Sequence, residues 1–345
     1  MDFSIALILS QDGITSGAIY ALLAFCILLV FTVTRILLIP IGEFAVYGAL
    51  TMAALQAGQP TKIVWLLCGL VVINLFLDLY AHFRHRQQLL WKRHAVMLMY
   101  AAVVSAAMYW LPLASLSTLS QIILTLAIIT PLGPQIYRTF FQSLVAAPSL
   151  VLLIVSIAVH VSLVGTALLI FGPNGAQTTP FSDRTFEVGS LLINSQTLWI
   201  IFTFFALIIL FSYFFNKTLY GKALRATAIN RMGARLMGIS PIFAGKITFT
   251  FAAFIGGLSG ILIAPVTTLY YDSGFLISLK GFVGAIIGGL VSFPVAALGS
   301  LVVGLVEAFS MFWASDYKEI IVFTLIIPFL LWKSFTTRNT EEEDE

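Results

Sequence analysis

The run "SLVLLIVSIAVHVSLVGTALLIF" at residues 149–171 carries no aspartate, glutamate, lysine or arginine. About 20 such residues in a helix, rising 1.5 Å each, match the hydrocarbon thickness of a bilayer. Comparable runs recur at 14–33, 37–57, 63–81, 95–113, 117–137, 197–216, 242–266, 281–292, 295–313 and 319–333. This recurrence leaves an all-α, polytopic transmembrane bundle of about ten or eleven segments, because only helices satisfy their own backbone locally inside lipid. Composition agrees: of 345 residues, 60% are hydrophobic and 10% are charged, and the mean hydropathy is +1.02. A soluble domain carries roughly 25% charged residues. The opening "MDFSIALILSQDG" has no basic leader or small-residue cleavage pattern, so a first membrane segment is expected there in place of a cleaved signal.

Two segments, 37–57 and 281–292, are short and hold glycine with a polar or charged residue near one end. They read as re-entrant or broken helices lining a cavity. Residues 20–50 and 256–290 share a pattern: a long apolar helix, a turn, and a short glycine-containing segment ending in Gly-x-Leu. The span count runs the two helices in opposite directions, which describes an inverted repeat. Chance likeness between glycine-rich apolar segments accounts for the pattern equally well.

Basic loops orient the chain. "HFRHRQQLLWKRH" (82–94) holds Arg84, Arg86, Lys92 and Arg93 without an acid. Residues 217–246 hold Lys217, Lys222, Arg225, Arg231, Arg235 and Lys246, again without an acid. Both are expected in the cytoplasm. The turn-rich stretch 171–196 is then the main external loop, the N-terminus is outside and the C-terminus inside. The chain divides into a membrane domain, 1–335, and an acidic tail, 336–345, expected to be disordered.

The stretch "GKALRATAINRMGARLMGIS" (221–240) is expected to be a short amphipathic helix. Arg231 and Arg235 share one face, and Leu224, Ala228, Met232 and Leu236 form a stripe on another. Gly238 can end the helix and Pro241 can begin the next. On physical grounds alone, an interfacial helix on anionic lipid and a docking helix for a cytoplasmic protein fit equally.

Carboxylates within apolar segments must face protein, water or substrate, since each costs roughly 3 kcal/mol on insertion scales. Glu43, after Gly42 at the start of a short segment, is placed to meet a substrate ammonium. A structural carboxylate capping a half-helix accounts for it as well. Glu307 reads as a packing or subunit-contact residue in a span rich in small residues, and Asp78 as a partner for an arginine of the 82–94 loop. Thr15 and Tyr20 offer hydroxyls to a carboxylate, or to their own helix backbone. Gly256 and Gly260 have the spacing of a close helix contact. His160 is isolated in an apolar run and reads by default as a packing histidine. Cys26 and Cys68 sit in apolar runs as small hydrophobes. No metal site or cofactor is expected.

These residues fall into patterns that resemble the permease subunits of bacterial ABC importers for branched-chain amino acids. In the basic stretch Gly221, Arg225, Ala226, Ala234, Gly238 and Ile239 match the family's cytoplasmic coupling loop. In "AIIGGLVSFPVAALGSLVVGLVEAF" (285–309), Gly288, Gly289, Ser292, Pro294, Ala296, Gly299, Gly304 and Glu307 match a second motif in order. "GAIYALLAF" and "GEFAVYGAL" near the N-terminus supply a third. The departures are "LIPIGEF" where the family usually carries Asn-Phe-Ala-His-Gly-Glu, Ile229 and Asn230 where it usually carries an acid, and one glycine lost in "GLVSF". Two apolar spans within 95–137 are not expected in a minimal member.

The resemblance implies a transport subunit, not an enzyme, in a bacterial inner membrane. Separate cytoplasmic ATP-binding subunits, a second permease that is a paralogue, and a periplasmic substrate-binding protein are the implied partners. No nucleic-acid partner is expected. The absence of Gly-x-x-x-x-Gly-Lys-[Ser/Thr] fits ATP hydrolysis elsewhere. A stand-alone secondary carrier or channel is the competing class, and it would need more ionisable residues in the spans than this chain offers.

Overall fold

The structure is a computed structural model and describes residues 3–85, 91–145, 147–182, 184–188 and 191–331. In chain order the helices are α1 (Phe3–Thr34), α2 (Ile41–Gln56), α3 (Ile63–His85), α4 (Trp91–Trp110), α5 (Thr118–Ile136), α6 (Ser149–Phe171), α7 (Ser195–Lys217), α8 (Leu219–Ile229), α9 (Arg231–Leu236), α10 (Pro241–Ile263), α11 (Ser273–Ile287), α12 (Phe293–Trp313) and α13 (Lys318–Thr324). Among the described residues seven helices are long and apolar enough to cross a membrane: α1, α3, α5 with its continuation to Leu144, α6, α7, α10 and α12. The expected acidic tail, 336–345, lies outside the described residues.

The two weak segments are indeed short helices. α2 has 16 residues and α11 has 15, too few for the roughly 30 Å of a bilayer core. α11 starts well before residue 281, because Lys280 interrupts the apolar run without interrupting the helix. α4 lies on the outside, with Trp91, Val96, Met99, Val103 and Trp110 exposed. α5 packs instead into the core, against α10 and α2. Pro131 and Pro134 lie inside α5, and its continuation is a π-helical turn, Tyr137–Phe141. Each proline removes a backbone donor, which favours such local rewinding.

α1 is buried along most of its length and forms the axis of the bundle. Its chief neighbours are α12, α10 and α11. It meets α12 where Gly13 and Gly17 face Gly304, backbone on backbone.

The two helix pairs α1–α2 and α10–α11 interlock reciprocally: α2 packs on α10, and α11 packs on α1. α1 ends beside the basic loop, where Arg231 donates to the Val33 carbonyl. The chain then turns back through 35–40 into α2, which ends at Gln56, hydrogen-bonded to Thr179 in the opposite loop. α10 ends at that opposite loop, where the Thr178 N–H donates to the Ala264 carbonyl. The chain turns back again into α11. Each pair is therefore a long helix, a reversal and a half-length helix, the two pairs entering from opposite ends.

The loop at 172–194 closes the end away from the basic loops. It contains a short antiparallel hairpin, β1 (Thr185–Val188) with β2 (Leu191–Asn194), pairing Thr185 with Asn194 and Val188 with Leu191. This hairpin is the departure from an all-helical chain, and no alternation in so short a stretch announced it. Ala176 bridges to Leu269, and Gln196 reaches the Leu262 carbonyl.

Candidate functional site: a half-helix junction and a basic loop

The reversals place the first turns of α2 and α11 against each other. Gly42 is the second residue of α2 and Gly274 the second of α11. A Cβ on Gly42 would collide with the Gly274 carbonyl, and a Cβ on Gly274 would meet the Gly42 backbone and Glu43 Oε1. Only glycine at both positions permits this approach. Two helix N-termini, each with unpaired N–H groups and the positive end of a macrodipole, thus converge on one point.

Glu43 occupies that point. Its side chain is fully buried, and its polar partner is His160 of α6, with Nδ1 3.1 Å from Oε1. Neither carboxylate oxygen makes a hydrogen bond of good geometry, and the polar groups that face it are the imidazole and the two helix ends. The His160 ring also lies against Phe275, centroids 5.1 Å apart, which carries the contact to α11. The isolated histidine of the sequence is therefore the partner of the isolated glutamate. The signal that could have joined them is cost: two ionisable groups in apolar runs are cheapest together.

A second buried polar group lies between α1, α11, α12 and α13. The Tyr20 hydroxyl donates to Glu307 Oε2 at 2.6 Å, and Lys280 Nζ donates to Glu307 Oε1 at 2.6 Å and to Glu319 Oε1 at 3.1 Å. The Lys280 ammonium also sits 5.7 Å from the centre of the Tyr20 ring. Tyr20 and Glu307 are thus brought together. Lys280, whose ammonium pairs with Glu307, was not singled out from the sequence. Thr15 is not part of either group, since its hydroxyl donates to the Gln11 carbonyl one turn back.

The motif residues at 288–299 build the turn between α11 and α12. Gly288 caps α11, Gly289 has φ +64°, Ser292 precedes α12 and Pro294 sits in its first turn. Gly299 rests on Ile287. Asp78 pairs with Arg138 on the π-helical turn and with His94 Nε2 at 3.0 Å. Its arginine partner therefore comes from the end of α5, where the sequence pointed to the 82–94 loop.

The basic stretch is two helices, not the single helix expected over 221–238. Asn230 ends α8 and caps α9, its Oδ1 accepting from the Gly233 N–H at 2.9 Å. The Thr218 side chain caps α8 at the Gly221 N–H. Gly221 lies against the backbone of Phe214 and Phe215, so α8 folds tightly onto the end of α7. Gly238 takes φ +82° and ends α9, and Ser240 and Pro241 begin α10. The break redirects the apolar stripe. Leu224 is buried against α1, whereas Ile229, Met232, Leu236 and Met237 face outward. Arg225 donates to Asn216 Oδ1, Ala226 is half-buried, Ala234 is buried, Arg231 holds the end of α1 and Arg235 is exposed. Burial pushes the Arg231 guanidinium down from its usual range, without threatening its charge.

Sequence comparisons align with this architecture. Residues 10–330 match the family described as branched-chain amino acid transport system / permease component. The chain is 33% identical over 146 residues to the high-affinity branched-chain amino acid transport system permease protein LivH of Escherichia coli, covering 41% of this chain and 46% of that one. It is 26% identical over 242 residues to the corresponding protein BraD of Pseudomonas aeruginosa, covering 68% and 78%. The L-arabinose transport system permease protein AraH of Escherichia coli is 29% identical over 137 residues, covering 35% and 40%. The chain thus spans just under half the length of the LivH proteins it matches. No solved structure matches.

Proposed function

Since this chain belongs to the family of branched-chain amino acid transport system permease components, we propose that it is the membrane-spanning subunit of an ATP-binding-cassette importer for branched-chain or related amino acids. The observation that carries the mechanism is the α8–α9 loop. It exposes Ile229, Met232, Leu236 and Met237 beside Arg235, at the end of the bundle where the basic loops gather. Positive loops face the cytoplasm of a bacterial inner membrane, and an apolar, basic pair of short helices there fits a groove on an ATP-binding subunit.

In this reading Gly221, Arg225, Ala226, Arg231, Ala234, Arg235 and Gly238 build the coupling loop. Closure of the ATPase pair moves α8 and α9. Gly221 ties that motion to α7, Arg231 ties it to α1, and the Gly238–Pro241 turn ties it to α10. The half-helices then shift within a pseudo-symmetric frame of about ten membrane segments, the short ones included, which opens the bundle to alternate sides. Gly42 and Glu43 border the route of the substrate, where the carboxylate can exchange His160 for an ammonium. A paralogous permease completes the pathway and a periplasmic binding protein delivers the amino acid. The two apolar spans within 95–137, α4 and α5, are the additional elements relative to a minimal member.

The test is co-purification and uptake. A tagged chain should recover an ATP-binding subunit, and Arg225→Glu or Gly238→Trp should abolish ATP-driven uptake while leaving expression intact. Normal uptake by both variants would remove the coupling role.

A further inference from the structure

A cavity of about 770 Å³ lies between α1, α7, α8 and the start of α12. Its walls are apolar, with Phe25, Phe204, Phe211 and Phe293 among them. Its polar groups gather at one end: Thr32, Arg35, Ser212, Asn216 and Arg225. Along α1 the lining runs from Ala21 to Thr32, and along α7 from Phe204 to Asn216. Either stretch is on the order of 17 Å of helix. That is about one leaflet of a hydrocarbon core some 30 Å thick. The groove is thus one leaflet deep, apolar along its walls and cationic at the basic end of the bundle.

The two arginines are not neutralised within the chain. Arg225 donates to the neutral Asn216 amide at 2.9 Å, and Arg35 lies 5.8 Å from the centre of the Phe31 ring. Neither is in an ion pair with a carboxylate among the described residues. Arg35 moreover holds a φ of +60° at the end of α1, a left-handed position where glycine is the usual residue. An arginine kept there against its backbone preference points to a use for its guanidinium.

We propose that this cavity binds one anionic phospholipid of the cytoplasmic leaflet, its acyl chain between α1 and α7 and its phosphate between Arg35 and Arg225. The occupant follows from the lining: hydrocarbon for one leaflet's depth, then two guanidiniums in the headgroup layer. The lipid underlies the coupling loop, because Leu224, Arg225 and Ala228 of α8 form part of the wall. Its headgroup therefore lies against α8. The inference rests on the basic end being cytoplasmic and is independent of what the protein transports.

Native mass spectrometry of the purified full-length chain tests it, with phosphatidylglycerol against phosphatidylcholine of the same acyl chains. Each arginine near the headgroup is worth roughly a five-fold preference, so the pair predicts retention of phosphatidylglycerol about thirty-fold over phosphatidylcholine. Arg225→Gln alone should lower the preference about five-fold, and Arg35→Gln with Arg225→Gln should bring it to parity. Arg84→Gln with Lys92→Gln removes two charges from the other basic loop and should leave it unchanged. Absence of a preference in the unmodified chain overturns the proposal. So does a preference that Arg225→Gln leaves undiminished, or one that falls equally with Arg84→Gln and Lys92→Gln.

Discussion

Replacing Lys280 with methionine keeps the shape of the side chain and removes its charge, so it isolates what the ammonium does. Lys280 stands between Glu307 and Glu319, with side-chain exposures of 7%, 12% and 32% respectively. Removing one partner of a buried pair leaves an uncompensated charge, typically at about 3–5 kcal/mol. Two features pull the value to the lower end. Glu307 keeps the Tyr20 hydroxyl at 2.6 Å, and Glu319 is about one-third exposed. Lys280→Met is therefore expected to lose about 3 kcal/mol. Glu307→Gln leaves the ammonium with Glu319 and still accepts from Tyr20, and should lose about 2 kcal/mol. With both changes no charge is left between α11 and α12. The double variant should then be more stable than the sum of the single losses by about 2–3 kcal/mol. Reversible unfolding in mixed detergent micelles, with increasing sodium dodecyl sulfate and tryptophan fluorescence as readout, supplies all three values. Additivity within about 0.5 kcal/mol would refute the reasoning and make the three residues independent packing groups.

The glycine junction gives a matched pair of substitutions: Gly42→Ala should destabilise by about 3 kcal/mol, since the added methyl meets backbone that cannot rotate away, whereas Gly165→Ala on α6, with open space around it, should be neutral or stabilising by up to about 1 kcal/mol in the same unfolding assay. His160→Phe should cost about 3 kcal/mol by stranding the Glu43 carboxylate, and adding Glu43→Gln should recover most of that, measured by the same midpoints. Asn230→Ala removes the cap of α9 at about 1 kcal/mol, so amide exchange at Gly233 should quicken about five-fold while exchange in α10 stays unchanged.

Most of the helical frame is legible because hydropathy and capping residues are local. The run 149–171 is α6 to the residue, and 295–313 ends where α12 ends. Gly238 and Pro241 mark the stop and restart that the chain uses. Part of what escaped was set at a distance and part was local. α1 begins at Phe3, ahead of the expected 14, because Ser10, Gln11 and Asp12 dilute hydropathy without stopping a helix. The start of α11 was hidden by Lys280, whose charge is acceptable only because Glu307 faces it from α12. The helix break at Asn230 was a local signal that went unread: Asn followed three residues later by Gly233 is a cap as well as a surface residue. The pairing of Glu43 with His160 depends on how α6 docks on α2, and no spacing along the chain encodes it.

The interlocked pairs α1–α2 and α10–α11 repeat a shape without repeating its charges. Gly42 and Gly274 are equivalent, each second in its half-helix, and they touch. Their neighbours are not equivalent: Glu43 follows one and Phe275 the other, and the charge of α11 is Lys280, two turns along. Each half-helix carries one buried ionisable group whose partner lies outside the four-helix frame, His160 on α6 for α2 and Glu307 on α12 for α11. Movement of α6 or α12 relative to the frame must therefore break or exchange a charge contact in a dry environment. Such contacts favour a few discrete arrangements over continuous sliding. The two pairs are comparable in backbone, whereas the charges they carry are unlike.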